Sequence, residues 1–173
     1  VAYSATDPAH RINVPAARMQ LAGDDDGAFD RWYRRHGDFP QDPLAQQVDG
    51  SVYPQRGAFG RYVEAAFVHA AKAQSNRVAH LQERAVDWQA GYVVTSTGRR
   101  LRADSVVLAI SHPPPRLPAA MRALAHHPRL IANPWRAEAL AAIPTHAKVA
   151  IMGTALSMAD VVASLVRLGH QGE

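Results

Sequence analysis

The chain has 173 residues, 47% of them hydrophobic and 20% charged, the balance of a globular protein with enough apolar residues for a core. No apolar run is long enough to span a bilayer, and the absence of cysteine excludes disulfides, thiol chemistry and thiolate metal sites within these residues. The net charge of +4 is dispersed, with Arg31, Arg34 and Arg35 close to Asp24, Asp25, Asp26 and Asp30, so the basic stripe with interleaved aromatics expected of a nucleic-acid binder is missing.

Val1 to Ala22 contains prolines at positions 8 and 15 and reads as an irregular, ordered loop. Pro15 biases its predecessors toward extended backbone, so Asn13 and Val14 need hydrogen-bond partners or a ligand. Asp24-Asp25-Asp26-Gly27 signals a helix N-terminus, and the spacing of Phe29, Trp32 and Tyr33 predicts a helix around 28–36 with one aromatic core face. Residues 37–50 read as loop. A helix is predicted from about Arg61 to Gln74, with Tyr62, Ala65, Ala66, His69 and Ala70 as its packing stripe. Arg56, in the turn before it, suits either a bidentate phosphate contact or an acidic partner.

Val78–Val86 is predicted as a strand, and Thr97-Gly98 as the turn of a hairpin between 92–96 and 99–101. The apolar run from Ala103 to Ile110 predicts a buried strand, stopped by Ser111-His112 and a triple proline that reads as a linker. Short helices are predicted over 121–127 and 137–143. Lys148–Met152 then reads as a buried parallel strand, Gly153 as a tight turn, and the residues after it as a helix. In that helix Val161, Val162, Leu165 and Leu168 face the sheet, Gly169 is the C-cap, and Asp160 complements the helix dipole.

A strand feeding a helix through a glycine turn is a common receiver of a nucleotide pyrophosphate. Against G-x-G-x-x-G, the second glycine is Ala155 and the third position is Met158. The nine histidines form no zinc-protease pattern, so no metal site is expected, and neither G-x-S-x-G nor a P-loop occurs.

Several ordered stretches act together: V-A-Y-S-x-x-D-P-A-H-R-x-N-V-P-A at 1–16, Y-P-x-R-x-x-F-G-R-Y at 53–62, R-A-D-S-V-V-L-A at 102–109, N-P-W at 133–135 and I-M-G-T-A-L-S-M-A-D-V-V at 151–162. On these the chain resembles the bacterial FAD/NAD(P)-binding flavoproteins with two dinucleotide-binding domains, the YdhS-like group. The resemblance implies an α/β fold. Residues 1–115 would form a Rossmann-like FAD-binding domain, incomplete because the family's G-x-G-x-x-G unit is expected ahead of Val1, with a β-hairpin layer. Residues 116–173 would form a linker and the first strand-turn-helix of a second nucleotide-binding domain that continues past Glu173.

The resemblance further implies that Asn13, Val14, Pro15 and Ala16 lie against the flavin, and that Arg56 is near the cofactor. Ala109 and Ser111 stand where relatives carry Ala-Thr-Gly beside it. Gly153, Thr154, Ala155 and Leu156 would open the second nucleotide site. The implied activity is FAD-dependent, NAD(P)H-linked oxidoreduction, possible in monooxygenase form, in the cytoplasm and away from membranes. Its partners would be a small-molecule substrate and the remainder of a longer chain. The alternative is a non-catalytic nucleotide-binding or assembly module of the same fold, which Ala155 and Ser111 favour. The resemblance assigns no catalytic residue.

Overall fold

A computed structural model of the chain describes residues 2–36, 38–73, 78–110, 113, 115–136 and 138–173. The chain is mixed α/β and forms two compact units, one of Val1–Ala65 with Pro113–Glu173 and the other of Ala66–His112. Its helices are α1 (Ala28–Arg35), α2 (Asp38–Gln41), α3 (Arg56–Ala73) and α4 (Leu156–Arg167). Its strands are β1 (Ala85–Gln89), β2 (Tyr92–Thr95) and β3 (Arg100–Arg102).

The first unit is built on an aromatic core. Phe29 from α1 is 0% exposed and meets Phe59 of α3 edge-on at 5.0 Å, with Tyr62 at 5.4 Å and Tyr33 at 6.1 Å. Ile12, Ala16, Ala45, Val52 and Ala58 complete the cluster. Large rings of this kind contribute most of the burial energy in a small core. The aromatic spacing on α1 is therefore realised as predicted. The acidic run before it is used differently. Gly27 starts α1 in a left-handed conformation with no side-chain cap, while Asp25 and the Asp26 carbonyl hold Arg31.

α3 starts at Arg56, five residues earlier than predicted. Its first turn is crossed by the N-terminal segment: a Cβ at Gly60 would run into the Tyr3 carbonyl, and one at Gly57 would lie 2.9 Å from the Ala5 carbonyl. Glycine at these positions lets backbone pass directly over helix. Of the expected packing stripe, Ala65, His69 and Ala70 are exposed. The 37–50 segment, expected as loop, contains α2 and a 3-10 turn over Pro43–Ala45. The helix expected over 121–127 is a 3-10 turn over Ala119–Leu124, and the described residues of 137–143 form turns.

The second unit holds a three-stranded antiparallel sheet in the order β1-β2-β3. Trp88 pairs with Val93, and Val93 with Leu101, so these side chains share one face. The hairpin turn falls at Thr97-Gly98 as predicted. Glu83 ties it down: the Thr97 hydroxyl donates to one carboxylate oxygen at 2.8 Å and Arg99 approaches the other. Hydrogen bonds from Thr95 and Thr97, more than the nearby Arg99, hold the Glu83 carboxyl below its ordinary range.

The strand predicted over Val78–Val86 is displaced to Ala85–Gln89, and two other predicted strands do not form. Residues 103–110 run without a ladder, leaving Val107, Leu108 and Ile110 exposed, at 88%, 79% and 79%. Lys148–Met152 is likewise not a strand. Apolar runs specify a strand only where another strand offers its backbone, and among the described residues neither run has such a partner. At the second run pairing begins without being completed. Gln171 N–H donates to the Thr145 carbonyl at 2.7 Å and Val149 N–H to the Glu173 carbonyl at 2.7 Å. Both bonds fit one parallel register, with Ala147 opposite Gly172. The Ala147 N–H is turned to Pro144 instead, and the ladder is interrupted there.

α4 ends as expected. Gly169 is left-handed, its N–H reaches the Val166 carbonyl and the His170 N–H reaches the Leu165 carbonyl, the paired bonds of a Schellman cap. The buried face of α4 differs from expectation. Val161 and Leu165 are buried, but so are Asp160 and Ser164, while Val162 and Leu168 are exposed.

Candidate functional site

The polar face of α4 has a specific counterpart in the N-terminal segment. Asp160, Ser164 and Arg167 follow one another at spacings of four and three, which puts them on one side of the helix. Arg56 Nη1 and Nη2 donate to the two oxygens of Asp160 at 2.7 and 3.0 Å, in a fork-to-carboxylate pair. Arg56 therefore has the acidic partner, one of the two roles open to it from sequence. Asp160 is that partner rather than a simple dipole complement.

One turn further along, the Ser164 hydroxyl donates to Asp7 Oδ2 at 2.8 Å. With its proton so committed, it accepts from His10 Nε2 at 2.9 Å. Arg167 Nε donates to Asp7 Oδ1 at 2.8 Å, and the Ala9 N–H donates to the same oxygen at 2.9 Å. Burial works against ionising Asp7. The hydrogen bonds from Ala9, Arg167 and Ser164 outweigh it and hold the carboxyl below its ordinary value of 3.8. His10 also stands edge-on to Trp135 at 5.4 Å, which brings in the Asn-Pro-Trp stretch. Ser164 is only 2% exposed, so this serine-histidine-aspartate grouping is a bracing network closed to a substrate.

A second arginine-aspartate pair lies beside the first. Arg11 donates to both oxygens of Asp42 at 2.7 and 3.0 Å and to the Tyr53 carbonyl at 2.8 Å, and the Tyr33 hydroxyl donates to Asp42 at 3.2 Å. The two pairs are joined through backbone, because Arg56 Nε donates to the Arg11 carbonyl at 3.1 Å.

These pairs frame the loop formed by Asn13, Val14, Pro15 and Ala16. It is pinned at both ends, by Ile12 N–H to the Pro54 carbonyl at 3.0 Å and Ala16 N–H to the Val52 carbonyl at 2.8 Å. Pro15 leads into a 3-10 turn, Ala16–Arg18, and Ala16 is wholly buried. Asn13 and Val14 are exposed between the pins, and among the described residues their N–H groups have no partner. An open cleft of about 650 Å³ adjoins, lined by Arg11, Ile12, Gln47, Val48, Asp49 and Tyr53.

Gly153, Thr154, Ala155 and Leu156 form the exposed turn into α4 in the same unit. Gly153 has φ 117°, a conformation that favours glycine, and a Cβ there would meet nothing within 4 Å. Ala155 is extended, with φ −87° and ψ −174°, so alanine sits there without strain. Ala109 belongs to the other unit, in its exposed, unladdered stretch. Ser111 lies outside the described residues.

A family model described as FAD-NAD(P)-binding matches residues 1–113, more than half of the chain. The chain belongs to the FAD-NAD(P)-binding family. No curated protein and no solved structure matches it. The stretch matched to the FAD-NAD(P)-binding family holds Asn13–Ala16, Arg11, Asp42 and Arg56, whereas Asp160, Ser164 and Arg167 reach it from outside. Family membership supports flavoprotein character and nucleotide binding at a coarse level. Among the described residues, no group of three acidic or histidine side chains could hold a metal ion, and no helix is long and apolar enough to cross a membrane.

Sequence reasoning did not single out Arg11, Asp42, Asp7, His10, Ser164 or Arg167. A signal existed for α4, where Asp160, Ser164 and Arg167 trace a polar stripe through an apolar helix. The pairing of Arg11 with Asp42, across 31 residues, carries no local signature.

Proposed function

We propose that this chain belongs to an FAD-dependent, NAD(P)H-linked oxidoreductase and that the Asn13–Val14 loop is a cofactor contact. The observation that carries the reading is the pair of amide N–H groups, without a partner among the described residues, on a loop pinned at both ends within the residues matched to the family. Exposed adjacent donors on fixed backbone suit an acceptor-rich group such as a flavin carbonyl or a phosphate oxygen. A bound flavin would supply the redox chemistry, taking a hydride from the nicotinamide. The chain's part is to bind and orient: Asn13 and Val14 donate from the backbone, Pro15 restricts it, and Ala16 anchors the loop in the core. Arg56 contributes through Asp160 and the Arg11 carbonyl.

In this reading 1–115 is the Rossmann-like FAD-binding part and 116–173 opens a second nucleotide-binding unit. The parallel hydrogen bonds between 145–149 and 171–173 support that second assignment, as does the positive φ of Gly153. The turn of Gly153, Thr154, Ala155 and Leu156 would then face NAD(P). The 173 residues contain no G-x-G-x-x-G, so the FAD pyrophosphate would need donors from elsewhere in the intact protein.

The test is the absorption spectrum of the intact protein purified with added FAD. The proposal expects bound flavin bands that NADPH or NADH bleaches. A protein that neither retains FAD nor is thermally stabilised by it contradicts the proposal. Retained FAD that no nicotinamide reduces would favour the non-catalytic module.

A further inference from the structure

Arg11 is held from three directions, immediately before the loop that presents the free amides. Its guanidinium is fixed by Asp42 and the Tyr53 carbonyl, and its own carbonyl accepts Arg56 Nε. The orientation of the Arg11–Ile12 peptide, which starts the loop, therefore follows the plane of the Arg56 guanidinium. That plane is set by Asp160, whose two oxygens take Nη1 and Nη2. All three guanidinium nitrogens of Arg56 are in use, and only a planar fork can serve a carboxylate and a backbone carbonyl together. A lysine could keep one contact with Asp160 and would lose the other.

We propose that Arg56 and Asp160 are positioning residues for the Asn13–Val14 amides, with α4 setting the aim of the loop through the chain Asp160, Arg56, Arg11. The ligand assigned to the loop rests on the function proposed above; the chain of positioning contacts does not. A loop whose donors are aimed before the ligand arrives loses less freedom on binding, and slack in the chain shows as weaker binding.

The experiment is amide hydrogen exchange on the intact protein, read residue by residue by NMR for wild type, Arg56→Lys and Asp160→Asn, followed by an FAD titration of each. Arg56→Lys is expected to speed exchange at Ile12 and Ala16 by about tenfold while α1 amides exchange as in wild type. Asp160→Asn is expected to do the same at Ile12 and Ala16 and also to loosen α4. FAD is expected to shift the Asn13 and Val14 amides, with about tenfold weaker binding in Arg56→Lys. Wild-type exchange at Ile12 and Ala16 in whichever of the two variants folds overturns the positioning proposal. Asn13 and Val14 amides that FAD leaves unmoved in wild type overturn the cofactor reading instead, whatever the exchange rates show.

Discussion

Arg56 and Asp160, 104 residues apart in sequence, meet through two parallel hydrogen bonds and join the start of α3 to the middle of α4. The two side chains are 17% and 12% exposed, so removing one leaves the other largely desolvated and unpaired. Asp160→Ala or Arg56→Ala should each cost about 2 kcal/mol. The double variant should cost clearly less than the sum. Denaturant unfolding of all four proteins gives the cycle; strict additivity would show that the pair contributes no coupling.

Asp7 makes the docking of α4 sensitive to acid. Its carboxyl sits below the ordinary value of 3.8 because hydrogen bonds outweigh burial. The folded value is the lower one, so the stabilisation is complete above the ordinary value and is lost as pH falls through the lowered one. Asp7→Asn should be less stable than wild type at neutral pH, and the gap should narrow as the solution is acidified below the ordinary carboxylate range. Thermal midpoints across that range check this; a constant gap would mean that ionised Asp7 is not what holds Ser164 and Arg167.

Gly60 and Gly23 form a matched comparison. A methyl group at Gly60 would collide with the Tyr3 carbonyl, a backbone atom that cannot swing aside, whereas one at Gly23 would meet nothing within 4 Å. Gly60→Ala should destabilise by about 1–3 kcal/mol, in line with overpacking elsewhere. Gly23→Ala should be neutral within about 0.5 kcal/mol. Equal effects in thermal unfolding would show that the N-terminal segment does not lie against α3.

Ala155 tests the second nucleotide assignment. Its backbone is extended and unstrained, so glycine there would change steric access to the turn more than its conformation. Ala155→Gly in the intact protein should tighten NAD(P) binding if the turn meets a pyrophosphate. Isothermal titration decides it, and unchanged affinity would make the turn a structural connection.

What could be read from sequence was local. The aromatic face of α1 follows from the spacing of Phe29, Trp32 and Tyr33, the hairpin from Thr97-Gly98, and the end of α4 from Gly169. The failures share one cause: the deciding partner is distant. Val107, Leu108 and Ile110 have the composition of a buried strand, but a strand exists only beside another. The same holds for Lys148–Met152, where pairing with 171–173 begins and is interrupted at Ala147. Arg56 could be recognised as a side chain needing an anionic partner, while its choice of Asp160 is set by how α4 packs. Val162 turns outward because Asp160 and Ser164, which face Arg56 and Asp7, claim the buried side of the helix.

The most direct measurement is an NMR titration of the intact wild-type protein with FAD, following the backbone amides of Asn13 and Val14. If their N–H groups receive a cofactor oxygen, both signals move in a saturable way while the buried amides of Phe29 and Tyr33 stay in place. Saturable shifts that bypass residues 12–16, or no shifts at any FAD concentration, would contradict the account.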